Sequence, residues 1–282
     1  MNTNVPASRE LAGIAELAAR TTGDRLRAVF RSRPATDHKR DFHDPVTEHD
    51  RAAEETIREV LAERAPGSVV VGEEGGTGGA EANAGGDLRW FVDPIDGTAN
   101  FAVGLPFFCV SIAAVEGDEV VAGVVYDPIR DDMFTASLNG ATCNGEVIRS
   151  RGATRDAGAV LATSYPGARG LAAGDRDEML RRFGLMVDAF ATVRRPGSAA
   201  LTLAHVAAGW TDVAFGPSIN AWDVAAAMLL IRQAGGMYLP LGGTPGGHDW
   251  DAPGYLACVG GFDLAGSVLT EVTDVAAAGS AT

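Results

Sequence analysis

The sequence is poor in cysteine, and its three cysteines lie far apart. Cys109, Cys143 and Cys258 form no CxxC pair and no cluster with histidine. A disulfide framework or a zinc site requires closer or more regular spacing of such residues. We therefore interpret all three as free thiols in or near a core.

Long apolar runs and a signal-peptide pattern are also missing. No run of about eighteen apolar residues, the length that spans a bilayer, occurs in the chain. Residues 1–8 are polar and lack the basic and apolar regions of a signal peptide. We expect no membrane association and a cytoplasmic location.

Basic residues are outnumbered by acidic ones. The 37 acidic and 23 basic residues give a formal net charge of −14. Because nucleic-acid phosphates are bound by patches of Lys and Arg, this balance argues against a nucleic acid as a partner. An acidic protein that handles phosphate needs metal ions to reverse the local sign of the charge.

The chain does contain enough apolar material for a large core. Of its 282 residues, 46% are hydrophobic and 21% are charged, which is typical of a globular protein. Near residues 151–156 the sequence becomes polar, and the predicted elements change to an alternation of strands and helices. We predict an N-terminal α+β domain over residues 1–152 and a C-terminal α/β domain over residues 153–282, with the functional site between them.

In the first part, apolar spacing predicts two helices followed by a sheet. One helix is expected over residues 8–30, and Thr47 with Asp50 three residues later resembles a capping box that opens a second helix ending near residue 63. Residues 31–44 are predicted to be a loop and the Gly-rich residues 75–86 a mobile segment. Strands are predicted at 69–71, 89–92, 107–115, 120–126 and 133–137, the last three as an antiparallel meander.

In the second part, strands and helices alternate. Helices are predicted at residues 175–190, 198–209, 221–234 and 263–274. Strands are predicted at 160–163, 191–194, 211–215, 237–240 and 255–259. Such alternation favours an α/β arrangement in this half of the chain.

Residues 90–101, WFVDPIDGTANF, are the most informative stretch, because they end an apolar strand with two carboxylates three residues apart. Pro94 is expected to stop the strand, so that Asp93 and Asp96 stay at one edge of the sheet. Two acids in an apolar run cost stability unless something compensates them. Their oxygen atoms suit Mg²⁺, which prefers an octahedral oxygen shell.

The residues that follow suit an anion. Gly97 permits a close turn, and Thr98 is predicted to be the N-cap of a short helix. The free N–H groups at the start of such a helix can hold a phosphate. Carboxylates for a metal and amides for a phosphate are therefore expected side by side.

Together with three further stretches, this segment resembles the inositol monophosphatase family of lithium-sensitive, Mg²⁺-dependent sugar phosphatases. The other stretches follow in the family's order: residues 44–50 (DPVTEHD), 71–74 (VGEE) and 222–226 (WDVAA). The resemblance runs from about residue 11 to about residue 269. It implies a layered αβαβα sandwich of the inositol monophosphatase and fructose-1,6-bisphosphatase type, and a homodimer.

The resemblance also implies roles for individual residues. Two or three Mg²⁺ ions would be bound by the carboxylates of Glu73, Asp93, Asp96 and Asp223. The backbone carbonyl of Ile95 would be a further ligand. The catalytic group would comprise Thr98, Asp50 and Glu73, with the Thr98 hydroxyl, oriented by Asp50, helping to deprotonate the attacking water. Substrate would contact Gly97, Thr98, Ser198, Ala199 and Asp223.

A lysine and lithium sensitivity complete the set of implied features. Lys39 matches a family lysine near the third metal position, and Li⁺ is expected to inhibit. Simpler roles fit these sequence positions as well. Glu73 fits a solvated turn, Lys39 a solvated loop, Asp223 a favourable acid at a helix start and Ser198 a plain N-cap.

The expected activity is hydrolysis of inositol 1-phosphate or a related polyol or sugar phosphate. In inositol-specific members of the family, a glutamate seven residues before the Trp-Asp aspartate binds ring hydroxyls, and that position here is Gly216. Histidinol phosphate and fructose 1,6-bisphosphate therefore stay open as substrates. A non-catalytic, ligand-binding relative is an alternative of another class.

The histidines do not indicate a metal site. His38, His43 and His49 lie close together, but their spacing is not that of HExxH or of a Cys₂His₂ finger. His205 falls on an apolar helix and His248 in a Gly-rich loop. We interpret all five as structural or surface residues.

Overall fold

The computed structural model describes residues 5–39, 45–79 and 87–273. Eight α-helices lie within these ranges: α1 (Val5–Val29), α2 (Glu48–Arg64), α3 (Thr98–Val103), α4 (Ala168–Ala173), α5 (Arg176–Ala189), α6 (Ala199–Ala208), α7 (Ala221–Ala234) and α8 (Leu269–Thr273). None of these helices is both long and apolar enough to cross a membrane.

The strands of the first half build an eight-stranded sheet and a small two-stranded one. They are β1 (Thr36–His38), β2 (Pro45–Thr47), β3 (Val69–Gly72), β4 (Gly76–Gly79), β5 (Leu88–Asp96), β6 (Cys109–Glu116), β7 (Glu119–Asp127), β8 (Asp132–Ser137), β9 (Gly140–Cys143) and β10 (Glu146–Val147). The large sheet has the order β10-β9-β8-β7-β6-β5-β3-β4. Strands β6, β7 and β8 pair antiparallel, so the predicted meander is confirmed.

The strands of the second half form a mixed five-stranded sheet. They are β11 (Val160–Thr163), β12 (Thr192–Arg194), β13 (Val213–Gly216), β14 (Met237–Leu241) and β15 (Gly254–Cys258), in the order β12-β11-β13-β15-β14. The first three are parallel, and β15 pairs antiparallel with both β13 and β14. The antiparallel edge places residues near 255 beside the end of β13.

Helices and sheets stack in layers, as predicted. Helices α1 and α2 pack on one face of the large sheet, α6 and α7 lie between the two sheets, and α5 packs against β12 on the far side. Alternation along β6 follows from the two-residue period of a strand. Ile112 and Ala114 face the core under α1 and α2, whereas Ala113 and Val115 face the core that contains α6 and α7.

The capping box predicted for α2 is confirmed. Thr47 is the N-cap, its backbone N–H donates to Asp50 Oδ2 at 2.8 Å, and its hydroxyl donates to the same oxygen at 2.7 Å. These bonds satisfy polar groups that a helix start leaves without partners. They also fix the Asp50 carboxylate at the start of α2.

Two predictions about the central motif are wrong. Pro94 does not stop the strand, because β5 continues to Asp96 with one extra residue between the pairs Asp93–Ser111 and Asp96–Cys109. A proline fits such a bulge, where no ladder hydrogen bond is required of it. Thr98 is not the N-cap of α3. Gly97, at φ +100°, takes that position, and Thr98 is the first helical residue.

Three predictions about less regular segments also differ from the structure. Residues 36–38 and 76–79 form short strands where a loop and a mobile segment were expected, and residues 40–44 and 80–86 lie outside the described residues. The predicted helix over 263–274 is reduced to α8. Asp263 Oδ1 accepts the Gly266 N–H at 3.1 Å, a local turn that competes with a helix start. The boundary between residues 152 and 153 stays a prediction.

Candidate metal and phosphate site

Three buried carboxylates meet where the large sheet touches the middle helical layer. Asp93 and Asp96 come from the end of β5, and Asp223 comes from the first turn of α7. Each offers an oxygen atom, and these oxygens all lie within 4.8 Å of one another. The three residues are only 2%, 8% and 9% exposed.

The bulge in β5 makes this convergence possible. Side chains three residues apart in a regular strand point to opposite faces, because the strand period is two residues. The extra residue places Asp93 opposite Ser111 and Asp96 opposite Cys109, and these two partners are two residues apart on one face of β6. Both acids therefore lie on the same side as α7, where the Ser111 hydroxyl donates to the Trp222 carbonyl at 3.0 Å.

Asp96 also links the two halves of the chain. Its Oδ2 accepts the Ser198 hydroxyl at 2.5 Å and the Ala200 N–H at 2.6 Å, and its Oδ1 accepts the Ala199 N–H at 3.2 Å. Ser198 is the N-cap of α6, as predicted. The start of α6, whose N–H groups favour negative charge, therefore points at this carboxylate.

The other two carboxylates have fewer donors. Asp93 Oδ1 accepts the Ile95 N–H at 3.0 Å. Asp223 Oδ2 accepts the Asn220 N–H at 2.9 Å and the Asn220 side-chain amide at 3.2 Å, which completes a capping box on α7. Asp223 thus has the helix-start role that the sequence allowed, and it also lies in the acid cluster.

Burial raises the pKa of every carboxyl in the cluster. The pKa of Asp93 lies well above its ordinary value because of burial and the charges of Glu73, Asp96 and Asp223. Burial and the Asp96 charge raise the pKa of Asp223 to about 7, and burial raises the pKa of Asp96 despite its donors. A divalent cation would offset this concentration of negative charge, and buried carboxylate oxygens are the donor set that Mg²⁺ prefers. The residues therefore fit the metal.

Glu73 lies beside this cluster, with its carboxylate bonded to a lysine. The Glu73 backbone N–H donates to the Val92 carbonyl at 3.1 Å, and its side chain accepts Lys39 Nζ at 2.9 Å. Lys39, the only lysine in the sequence, also bonds Glu74. Burial lowers the pKa of Lys39, but the bonds and charges of Glu74 and Glu73 outweigh burial and raise it. Glu73 is not among the three acids within 4.8 Å, and its role as a ligand stays a prediction.

A hydroxyl and a carboxylate form a second polar group next to the cluster. Thr98 Oγ1 lies 2.8 Å from Asp50 Oδ1 and 3.0 Å from the Ile95 carbonyl oxygen, so its one O–H can donate to either acceptor. The two bonds from Thr47 hold Asp50 from the other side. Burial raises the pKa of Asp50, while its bonds to Thr47 and Thr98 oppose that shift. The predicted pair of Asp50 and Thr98 is thus in direct contact.

A cavity of about 330 Å³ adjoins the acids. Four of the predicted residues line it, namely Asp96, Asp223, Ser198 and Ala199. The sequence interpretation missed other lining residues, among them Thr163, Arg195 and Tyr255. No motif marks Tyr255, because the antiparallel pairing of β15 with β13 brings it to the site.

The described histidines lie outside the acid cluster. His205 packs against Phe107, and burial lowers its pKa to about 4, so it is neutral near pH 7. His248 stacks on Trp250 at 4.6 Å, and His49 meets Phe101 edge-on. His38 is exposed, and His43 lies outside the described residues.

The sequence matches the inositol monophosphatase family over residues 7–273. The chain belongs to this family. Among curated members, Nus factor SuhB of Pseudomonas aeruginosa is 39% identical over 247 residues, which cover 86% of this chain and 89% of the relative. Nus factor SuhB of Escherichia coli K12 is 37% identical over 247 residues, which cover 86% and 88%.

Solved structures of family members have the same fold. The extragenic suppressor protein SuhB of Bartonella henselae is 32% identical and aligns with a TM-score of 0.79, covering 89% of this chain and 94% of that one. An IMPase of Thermotoga maritima is 31% identical with a TM-score of 0.77, covering 92% and 94%. These matches confirm the predicted family and the layered fold.

Proposed function

We propose that this family member is a Mg²⁺-dependent phosphatase that hydrolyses a small phosphomonoester, either inositol 1-phosphate or a related polyol or sugar phosphate. The observation that carries the proposal is the convergence of Asp93, Asp96 and Asp223 beside a cavity of about 330 Å³. Bound Mg²⁺ would polarise the phosphoryl oxygens and acidify the attacking water. Glu73 and the Ile95 carbonyl are proposed as further ligands, for two or three ions in all.

Asp50 and Thr98 are proposed to take the proton of the attacking water. When the Thr98 hydroxyl donates to Asp50, its oxygen keeps lone pairs that accept a hydrogen bond from water. Burial raises the pKa of Asp50 and so favours proton uptake by this pair. The water oxygen forms a bond to phosphorus, the bond to the alcohol oxygen breaks, and that oxygen takes a proton from solvent. The products are the free alcohol and inorganic phosphate.

The remaining predicted residues divide into a phosphate side and an alcohol side. Gly97 and Thr98 begin α3, and their backbone N–H groups are proposed to hold phosphate oxygens. Asp223, Ser198 and Ala199 line the cavity and are proposed to face the alcohol part. This division follows from the position of α3 at the end of β5 and of the cavity beside α6.

Several general properties of the protein are proposed together with the activity. They are a domain division into residues 1–152 and 153–282, a homodimer, a cytoplasmic location, Li⁺ inhibition and the absence of a nucleic-acid partner. The name of the SuhB relatives, Nus factor, does not describe a phosphatase. A non-catalytic protein of this family is therefore the alternative that the test must separate.

The test is phosphate release from four esters with Mg²⁺ and after its removal by a chelator. The esters are inositol 1-phosphate, histidinol phosphate, fructose 1,6-bisphosphate and glycerol 2-phosphate. We expect Mg²⁺-dependent release and kcat/KM values that differ by less than about 10⁴, the selectivity typical of sites built to pair with a substrate hydroxyl. LiCl should inhibit more than NaCl at equal ionic strength. No release from any ester would contradict the proposal and favour the non-catalytic alternative.

A further inference from the structure

A tyrosine covers the position where family members that bind inositol carry a glutamate. Gly216 ends β13, and the register pairs it with Tyr255 on β15. A Cβ atom on Gly216 would lie 2.5 Å from Tyr255 Cε1, 2.8 Å from Cζ and 3.1 Å from the phenolic oxygen. The ring therefore occupies the space that any side chain at residue 216 would need.

Tyr255 is a buried residue that also belongs to the wall of the proposed substrate cavity. Tyr255 is 4% exposed and lines the cavity together with Asp96 and Asp223. Within the described part of the chain, its phenolic oxygen has no hydrogen-bond partner. A phenolic oxygen on a cavity wall without a protein partner can donate to and accept from a hydroxyl of a ligand.

The ring itself is held by a neighbour of the same type. Tyr238 on β14 stacks on Tyr255 with ring centroids 6.1 Å apart and planes at 15°. The Tyr238 hydroxyl is buried without a partner, but Tyr238 does not line the cavity. The two tyrosines thus stack on each other, but only Tyr255 lines the cavity.

The chemistry of a phenol differs from that of a carboxylate. Burial, with smaller contributions from Tyr238 and the nearby acids, raises the pKa of Tyr255, so the group stays an O–H. A phenol donates one hydrogen bond and accepts others, whereas an ionised carboxylate only accepts. A substrate without the matching hydroxyl therefore leaves no buried charge unpaired here.

We propose that Tyr255, whose ring fills the space beside Gly216, is a specificity-determining residue whose phenol pairs with a hydroxyl of the alcohol part of the substrate. The inference rests on the proposed function and names its substrate class as polyol or sugar phosphates with a hydroxyl beyond the ester carbon. Discrimination by this neutral pair is modest, roughly fivefold to tenfold, as for a single neutral hydrogen bond. It is far weaker than discrimination by a buried charge.

The test compares Tyr255→Phe with Tyr238→Phe and with the unmodified protein. The two ligands are inositol 1-phosphate and cyclohexyl phosphate, which share a six-membered ring but differ in hydroxyl groups. Binding is measured by calorimetry with Ca²⁺ in place of Mg²⁺, and kcat/KM is measured with Mg²⁺. Tyr255→Phe should weaken inositol 1-phosphate roughly fivefold to tenfold and leave cyclohexyl phosphate within about twofold. Tyr238→Phe should leave both within about twofold.

Three results would overturn the inference: equal losses for both ligands in Tyr255→Phe, no loss for either, or no binding of inositol 1-phosphate to the unmodified protein. A failure of the proposed function can be distinguished from a failure of this inference. If no ester is hydrolysed with Mg²⁺, but binding of inositol 1-phosphate still depends on the Tyr255 hydroxyl, the protein is a binding relative and the role of Tyr255 stands.

Discussion

The three carboxylates of the cluster, those of Asp93, Asp96 and Asp223, differ in the number of hydrogen bonds that they accept from the protein. Asp96 accepts four hydrogen bonds, one of them from the Cys109 thiol, and Asp223 accepts two, whereas Asp93 accepts one, from the Ile95 N–H. Asp93 therefore keeps the most free lone pairs for a cation. It is also the position where an amide can replace the acid with the least change, since the amide oxygen can still accept from Ile95.

Thr98 offers a test of the proposed proton path at the residue scale. Thr98→Ala removes the hydroxyl that lies 2.8 Å from Asp50, so kcat should fall by about 10²-fold or more, as for the loss of a group that acts in proton transfer. KM should change little, because the hydroxyl acts mainly in the transition state. Steady-state kinetics on the best ester of the panel measures both constants.

Thr98→Ser is the matched control for that variant. Serine keeps the hydroxyl and its bond to Asp50, and we expect it to retain most of the turnover. A change confined to KM in Thr98→Ala, or an equal loss in both variants, would show that Thr98 only caps or positions the segment.

The sequence predicts the acids of the site better than it predicts the cavity wall. Asp93 and Asp96 stand out because carboxylates interrupt an apolar run, and Thr47 with Asp50 stands out through the spacing of a capping box. Tyr255 has no such local signal. Its position depends on the pairing of β15 with β13, strands about forty residues apart in sequence, which local patterns do not encode.

At the scale of elements, the contact between α7 and β7 sets the position of Asp223. Gly123 lies on β7 at a point where an added Cβ would be 2.7 Å from the Ala226 carbonyl oxygen and 2.8 Å from its Cα. These are backbone atoms of α7, which cannot move aside as a flexible side chain can. The glycine therefore allows the helix that carries Asp223 to approach the sheet closely.

Gly123→Ala should separate α7 from the sheet. We expect a loss of about 1–3 kcal/mol in the free energy of unfolding, as for other overpacked cores. We also expect a lower kcat, because Asp223 moves with the helix. Denaturant titration measures the first effect and phosphate release measures the second.

Gly13→Ala is the control for this substitution. Gly13 is exposed on α1, and among the described residues no atom beyond its own helix backbone lies within 4 Å of its added Cβ. Alanine at this exposed helical position should stabilise the protein by up to about 1 kcal/mol and leave kcat unchanged. Equal effects at the two glycines would contradict the packing argument.

Sequence patterns predict the long elements and miss the irregular ones. The helix predicted over residues 221–234 coincides with α7, since its apolar and small residues are continuous. The bulge in β5 was not predicted, because a proline reads as a strand end and only the register with β6 shows the extra residue. Turns replace the start of the last predicted helix, where Asp263 Oδ1 accepts the Gly266 N–H and the Leu264 carbonyl accepts the Ser267 N–H.

At the scale of the whole molecule, the site exists only where three parts of the fold meet. The large sheet supplies Asp93 and Asp96, α7 supplies Asp223, and the start of α6 supplies the donors to Asp96. No single element contains the cluster. The cluster joins residues from both halves of the chain, and the sequence alone did not predict which face of the sheet it would occupy.

The buried acids should make the metal-free protein sensitive to pH. The pKa of Asp223 is raised to about 7 in the folded protein from an ordinary value of 3.8, so the folded state binds more protons between these values. The stabilising contribution of its protonated form is complete below about pH 4 and is lost as the pH rises through about 7. A cation that replaces the proton should restore stability above that pH.

Titration of Mg²⁺ into the metal-free protein tests the central claim most directly, with calorimetry at pH 6 and pH 8 on the unmodified chain and on Asp93→Asn. The unmodified protein should bind Mg²⁺ at both values and release more protons at pH 6, because the raised pKa of Asp223 leaves it largely protonated there. Asp93→Asn should keep its fold and bind at least about tenfold more weakly, as expected when a ligand carboxylate is lost. Undiminished binding in Asp93→Asn, or no binding by the unmodified protein at millimolar Mg²⁺, would contradict the assignment of the three-carboxylate cluster as a metal centre.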